Sequence, residues 1–286
     1  MKSYYSCEPT LNDEQVIDFI KDGYLVLKGV VPDEINAKAM GFLQNNTSTE
    51  PSEILTEDWF ITNVIKNPQA VGAVRSLLGM NFGLPPMMSN HRIEYPTVAG
   101  GWHRDGNSKF DCELWNLQVF YLPKVCTIDM GPTELVPGSH LLYSANDHLG
   151  HIDRIRNTEY MLGDAGSIFI TNYAIWHRRS SSQWATTAGV RNLLKYNYHR
   201  TVPPNRDWLI EPNFNIANAS FLPAPDQGYF RDRFLAASHI AERFFWLCGK
   251  HAQFALKGGQ SWPIGMGSRS GERTPYEILR AFNISG

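Results

Sequence analysis

The chain has 286 residues, 43% of them hydrophobic and 19% charged, with a formal net charge of −2. That apolar fraction with near-balanced charge excludes an intrinsically disordered chain, and the length suits one large domain with a sizeable core. Balanced charge gives no electrostatic footprint for nucleic acid or an anionic membrane surface, and no run approaches the ~20 apolar residues of a membrane span. Residues 1–9 hold one Lys and no apolar stretch, which predicts no secretory signal. Four scattered cysteines (Cys7, Cys112, Cys126, Cys248) predict reduced thiols rather than a disulfide frame. The expectation is a single cytoplasmic domain over 1–286 with neither nucleic acid nor membrane as partner and with oligomeric state left open.

Residues 1–86 are predicted mostly helical. Asn12-Asp-Glu-Gln15 reads as a capping box opening a helix with Val16, Phe19 and Ile20 on one face. Tyr24–Leu27 reads as a strand before Gly29, Asp33–Leu43 and Pro68–Leu78 as helices, and polar Asn45–Ser52 as a mobile loop. Residues 87–200 are predicted to be a β-core. Short aliphatic and aromatic runs at Ser89–Tyr95, Glu113–Leu122, Thr133–Val136, Gly166–Thr171 and Val190–His199 are divided by Gly, Pro and Asp turns. The C-terminal extension, 201–286, begins Pro-rich and then predicts a helix over Phe230–Phe254, with Phe234, Ile240, Phe244 and Leu247 at helical spacing.

The sharpest chemical signal is Gly100-Gly-Trp-His-Arg-Asp105. Residues two apart in a strand share a face, so His103 and Asp105 would aim an imidazole and a carboxylate at one point. One further imidazole would complete a two-histidine, one-carboxylate set, which suits Fe(II) and leaves coordination positions open. His177, beyond the strand Ser167–Thr171, is the best candidate. A second His-x-Asp, His151-Ile-Asp153, lies in a polar segment without strand pattern and reads as surface loop or helix.

Three features in order resemble the phytanoyl-CoA dioxygenase (PhyH-like) family of Fe(II)/2-oxoglutarate oxygenases. They are Trp102-His-Arg-Asp105, then Gly131-Pro-Thr-Glu-Leu-Val-Pro-Gly-Ser-His140, then the Gly163-Asp164 turn with His177 and Arg191 downstream. Asp22-Gly-Tyr-Leu-Val-Leu-Lys-Gly29 is similar to the family's N-terminal strand, and the likeness spans roughly residues 12–200. It implies an all-β double-stranded β-helix (jelly-roll, cupin-like) core with helical N- and C-terminal extensions. It also implies iron held by His103, Asp105 and His177, with 2-oxoglutarate and O2 as co-substrates and ascorbate helpful in vitro. Arg191 matches the arginine that grips the distal carboxylate of 2-oxoglutarate, a task suited to a fixed, permanently charged fork. The His177–Arg191 interval is a few residues longer than the family's and contains Ser180, the serine chosen to share that carboxylate.

Strand phase adds further candidates. Asn116 and Gln118 share a face and are expected to hydrogen-bond the co-substrate, with Thr133 lining its pocket; satisfied core amides are the alternative for the pair. Asn90, Arg92 and Glu94 form a polar face beside the His-x-Asp strand, and Arg92 and Arg104 are candidate substrate contacts. Trp59, Phe60, Trp102 and Trp176 are candidate cleft walls, although aromatic residues more often fill cores. Pro137–His140 reads as a structural tight turn. The expected reaction is oxidation, most simply hydroxylation, of a small metabolite or natural-product intermediate with succinate and CO2 as co-products. Desaturation, cyclisation or oxidative cleavage at the same centre is the alternative, as is a β-helix protein that only binds its ligand. Related halogenases carry a small residue where this chain has Asp105, so the intact carboxylate argues against halogenation.

Overall fold

The computed structural model describes residues 4–105, 112–141, 152–206 and 230–254. In chain order the strands are β1 (Tyr4–Tyr5), β2 (Tyr24–Leu27), β3 (Phe82–Gly83), β4 (Ser89–Asn90), β5 (Ile93–Tyr95), β6 (Asn116–Tyr121), β7 (Thr133–Leu135), β8 (Glu159–Tyr160), β9 (Ile168–Asn172), β10 (His177–Arg179), β11 (Gly189–Arg191) and β12 (Leu194–His199). The helices are α1 (Asp13–Asp22), α2 (Asp33–Asn45), the single turn α3 (Asp58–Phe60), α4 (Pro68–Leu78) and α5 (Phe230–Leu247). The β-rich core with flanking helices expected from the sequence is present. Its described strands pair in three antiparallel sheets: β1-β3-β12-β6-β9-β2 with β4 beside β12, then β10-β7-β8, then β11-β5.

The central strands face two ways. Leu117, Val119 and Tyr121 of β6 stand opposite Tyr198, Tyr196 and Leu194 of β12, and this face joins the helices in the main core. The opposite face carries Gln118 and Phe120, paired with Asn197 and Lys195. Phe120 and Phe169 there pack with Leu122, Leu135 and Ile175 in a smaller core against the β10-β7-β8 sheet. The polar residues of that inner face therefore point toward the strand that carries His177.

The capping box forms as expected: the Asn12 side chain accepts from Gln15 N at 2.8 Å, and the Gln15 side chain accepts from Asn12 N at 3.0 Å. Two expected strands are each split. Ser89–Tyr95 becomes β4, paired with β12, and β5, paired with β11. Val190–His199 becomes β11 and β12, the chain changing sheet at Asn192-Leu193. Asn45–Ser52, expected to be mobile, is tied down instead: Asn90 N donates to Thr49 O at 2.7 Å, and Met88 N to Ser52 Oγ at 3.0 Å. Helix α5 stops at Leu247, short of Phe254, because Gly249 takes φ +70 and its backbone lies against Pro204, leaving no room for a Cβ.

Two separated sequence motifs pack on one another. Gly23 caps α1 with φ +80, and the His140 ring occupies the space its Cβ would need. His140 Nε2 donates to Ile20 O at 2.8 Å, and Gly138 N donates to Asp22 O at 2.8 Å. The Pro137–His140 turn thus buttresses the α1–β2 corner. Among the described residues, no helix is long and apolar enough to cross a membrane.

Candidate active site

His103 and His177 form an isolated antiparallel bridge, each backbone N donating to the other's carbonyl at 3.0 Å. Their rings consequently stand side by side, with centroids 4.4 Å apart. Asp105, two residues on, brings Oδ1 to 3.6 Å from His103 Nε2 and Oδ2 to 3.8 Å from His177 Nε2. One ligand atom from each of the three lies within 4.8 Å of the others. The alternation argument for His103 and Asp105 is thus realised by a bend and a single bridge rather than by a long strand.

Both histidines are set in the same tautomer. His103 Nδ1 donates to Gly101 O at 3.0 Å and His177 Nδ1 to Ile175 O at 3.1 Å. Each Nε2 lone pair is left facing Asp105, the arrangement by which metal-ligating histidines are oriented. Among the described residues, the buried His177 Nε2 has no hydrogen-bond partner. Burial lowers the His177 pKa to about 4, against the pull of Asp105, so the ring is neutral at physiological pH. Burial alone would raise the Asp105 carboxyl, but His177, Lys195 and Gln118 outweigh it and hold the pKa at about 2. Two imidazole nitrogens, one of them orphaned, converging with an ionised carboxylate fit a divalent metal and are costly without one.

The scaffold around these ligands explains the Pro137–His140 turn further. Arg104, next to His103, donates to Ser139 O at 3.0 Å, and Trp176, next to His177, donates its backbone N to Ser139 Oγ at 2.9 Å. One serine therefore ties both histidine-bearing segments together. Trp102 and Trp176 are buried, as aromatic core residues are, and lie outside the cavity lining: Arg178 lies over the Trp102 ring at 4.4 Å and Arg104 over the Trp176 ring at 5.1 Å. Phe60 belongs to the main core and Trp59 binds its own neighbour Glu57, so neither lines the cavity.

That cavity holds about 480 Å³ and opens beside His103 and His177. Thr133, Arg92, Asn90 and Arg191 line it, whereas Arg104 and Ser180 do not. Arg191 is 4% exposed, and among the described residues its Nε and Nη1 have no hydrogen-bond partner. Burial lowers its pKa, partly opposed by the Cys126 thiol beside it, and among the described residues no carboxylate pairs with it. A buried guanidinium with unused donors on a cavity wall is a built receptor for an anion. Ser180 is also buried with an unpartnered Oγ among the described residues. Arg178 and Arg179 on the same wall are committed elsewhere, to Glu134 at 2.9 Å and to Val98 O at 3.0 Å. Arg92 pairs with exposed Glu94 at 3.4 Å.

The amide pair is separated by its surroundings. Gln118 is buried and donates Nε2 to Asp105 Oδ2, while Asn116, at the start of β6 opposite His199, is exposed; neither is on the cavity lining. Sequence reasoning missed Lys195, whose Nζ donates to Asp105 Oδ2 at 2.8 Å. It also missed His91, a cavity-lining imidazole whose pKa burial lowers to about 3, with Lys195 and Arg191 adding to the effect. The signal for Lys195 was the alternation Leu194, Tyr196, Tyr198 on the core side, which turns Lys195 and Asn197 inward. In the second His-x-Asp, His151 lies outside the described residues, and Asp153 is exposed, 4.0 Å from Arg178.

No protein-family profile matches the sequence, and no curated protein matches it. Solved structures do. HygX from Streptomyces hygroscopicus, with nickel and 2-oxoglutarate bound, is 16% identical with a TM-score of 0.56, over 70% of this chain and 90% of that one. The epimerase SnoN, solved with Fe3+, α-ketoglutarate and a nogalamycin, is 16% identical with a TM-score of 0.52, over 65% of this chain and 82% of SnoN. EctD from S. alaskensis is 17% identical with a TM-score of 0.54, over 69% of this chain and 80% of EctD. The chain shares the fold of these three proteins, of which HygX and SnoN were solved with a metal and 2-oxoglutarate bound, and this fold agrees with the resemblance read from its motifs.

Proposed function

We propose that the protein is an Fe(II)/2-oxoglutarate-dependent oxygenase built on a double-stranded β-helix core, a single cytoplasmic domain that oxidises a small metabolite or natural-product intermediate. The observation that carries this reading is the convergence of His103, Asp105 and His177 beside a cavity whose lining also holds Arg191, with Nε and Nη1 unpartnered among the described residues. His103, Asp105 and His177 would hold iron, which would supply oxidising chemistry at the expense of O2 and 2-oxoglutarate, with succinate and CO2 released.

The chain's own residues bind, orient and exclude water. Arg191 takes the distal carboxylate of the co-substrate, with Thr133 on the same lining. Gln118 and Lys195 both donate to Asp105 Oδ2, so Oδ1 is the oxygen left for single-point ligation. A carboxylate that ligates through one oxygen occupies one position and leaves the others for co-substrate and O2. His91 and Arg92 stand on the lining where a substrate would approach. Hydroxylation is the simplest outcome of such a site; SnoN, an epimerase, shares the fold.

The test is succinate formation from 2-oxoglutarate by iron-loaded protein with ascorbate and O2. Wild-type protein should release succinate, and Asp105→Ala should release none above a metal-free control. Wild-type-like succinate release by Asp105→Ala would overturn the triad assignment.

A further inference from the structure

Cys112, Glu242 and His251 come together on the side of the fold where α5 ends. Cys112 precedes β6, Glu242 lies in the last turns of α5, and His251 sits in the 3-10 turn His251–Gln253 that follows Gly249. His251 Nε2 is 3.4 Å from Cys112 Sγ and 3.0 Å from Glu242 Oε1, and one donor atom from each residue lies within 4.8 Å of the others. We propose that these three side chains form a second metal site, for Zn(II), independent of the iron centre.

The contact pattern separates this cluster from its two ordinary readings. In a nucleophilic cysteine arrangement, thiol and carboxylate engage opposite ring nitrogens of the histidine. Here both sit on Nε2, so the imidazole cannot relay a proton between them. In a plain hydrogen-bonded cluster, one ring nitrogen directs either one hydrogen or one lone pair. Serving thiol and carboxylate together therefore weakens one contact, whereas a divalent cation satisfies all three donors. The spacings also fit. With Zn–S about 2.3 Å, Zn–N about 2.0–2.1 Å and Zn–O about 2.0–2.2 Å, tetrahedral edges are roughly 3.6 Å for S···N and 3.4 Å for N···O. The observed separations lie within a few tenths of an ångström of these values.

The donor set selects the metal. A thiolate beside an imidazole and a carboxylate favours zinc over magnesium or calcium, which take oxygen ligands. The His103–Asp105–His177 set has no sulfur, so the two sites are chemically distinguishable. A cation held here clips α5 to the segment that enters β6. His251 and Glu242 remain partly open to solvent, 47% and 28% exposed, which gives the ion an entry path and leaves a fourth position for water.

Co(II) is the probe. Titrated into the whole reduced protein, Co(II) should produce a thiolate-to-cobalt charge-transfer band in the near ultraviolet, saturating at one equivalent of sulfur-bound metal and bleached by Zn(II). Cys112→Ser should abolish the band, and His251→Ala, at an exposed position that tolerates truncation, should weaken Co(II) binding by at least 10-fold while far-ultraviolet circular dichroism stays unchanged. A parent protein without the band, or a band that survives Cys112→Ser, overturns the proposal. Neither result bears on succinate formation, so the failure of this site and of the oxygenase reading remain distinguishable.

Discussion

Replacing Arg191 by Met should weaken 2-oxoglutarate binding severely without destabilising the ligand-free protein. Arg191 brings two unpartnered donors to the cavity wall at 4% exposure. A hydrogen bond to a charged group contributes about 1.5–3 kcal/mol, so two such bonds to one carboxylate contribute about 3–6 kcal/mol. At ~1.4 kcal/mol per decade, the dissociation constant should rise by roughly 10²–10⁴-fold. Arg191→Lys keeps the charge but not the fork, and should fall between the two, with about 10–10² lost. Stability should move the other way. A buried cation with no carboxylate partner among the described residues opposes folding, so Met at this position should leave the thermal midpoint unchanged or raise it. The assays are anaerobic calorimetric titration of metal-loaded protein with 2-oxoglutarate, and thermal unfolding without ligand. An Arg191→Met variant that binds 2-oxoglutarate as the parent does, or that unfolds several degrees earlier, would refute the reasoning, since either result makes Arg191 a structural residue.

The remaining predictions concern what holds the site in place. Lys195 and Asp105 are 19% and 16% exposed and 2.8 Å apart, so a double-mutant cycle of Lys195→Met with Asp105→Asn in metal-free protein should give a coupling energy of about 1–3 kcal/mol by chemical denaturation; a value near zero would remove Lys195 from the site. His140 is buried and its pKa is lowered to about 3 by burial, with Arg243 adding to the effect. Between that value and about 6.5, the unfolded chain binds a proton that the folded chain does not, so stability falls as pH drops through this window. His140→Gln retains an N–H for Ile20 O and should flatten the dependence of unfolding free energy on pH by up to about 1.4 kcal/mol per unit, read from denaturation between pH 4 and about 7. An unchanged slope would mean that His140 is not the buried proton acceptor.

The convergence of His103, Asp105 and His177 and the presence of Arg191 on the cavity wall were legible in the sequence, the first pair through His-x-Asp spacing and the other two through the motif resemblance. His-x-Asp gives one face, and Arg191 opens an apolar run. What escaped was whatever depends on register between distant strands. Lys195 meets Asp105 only because Leu194 of β12 pairs with Tyr121 of β6, which fixes the inward face of both strands. The same register separates Gln118 from Asn116: phase alone puts them on one face, but Asn116 stands at the strand's open end. For the tryptophans the sequence left core and cleft wall open; Trp102 and Trp176 are buried, and Arg178 and Arg104 cover them across chain separations that composition does not reveal. The Pro137–His140 turn was recognised as structural, yet its tasks, filling the space beside Gly23 and joining both histidine-bearing segments through Ser139, appear only when the segments meet.

The most direct test of the central claim is binding rather than turnover, because some oxygenases stay idle until their substrate arrives. Purified protein, loaded with one equivalent of Fe(II) without oxygen and titrated with 2-oxoglutarate, should develop the visible charge-transfer absorption of a 2-oxo acid chelated to ferrous iron. That absorption should be absent from His177→Ala. No absorption in the wild-type protein, with iron shown to be bound, would contradict the assignment of His103, Asp105 and His177 as an iron centre that takes 2-oxoglutarate.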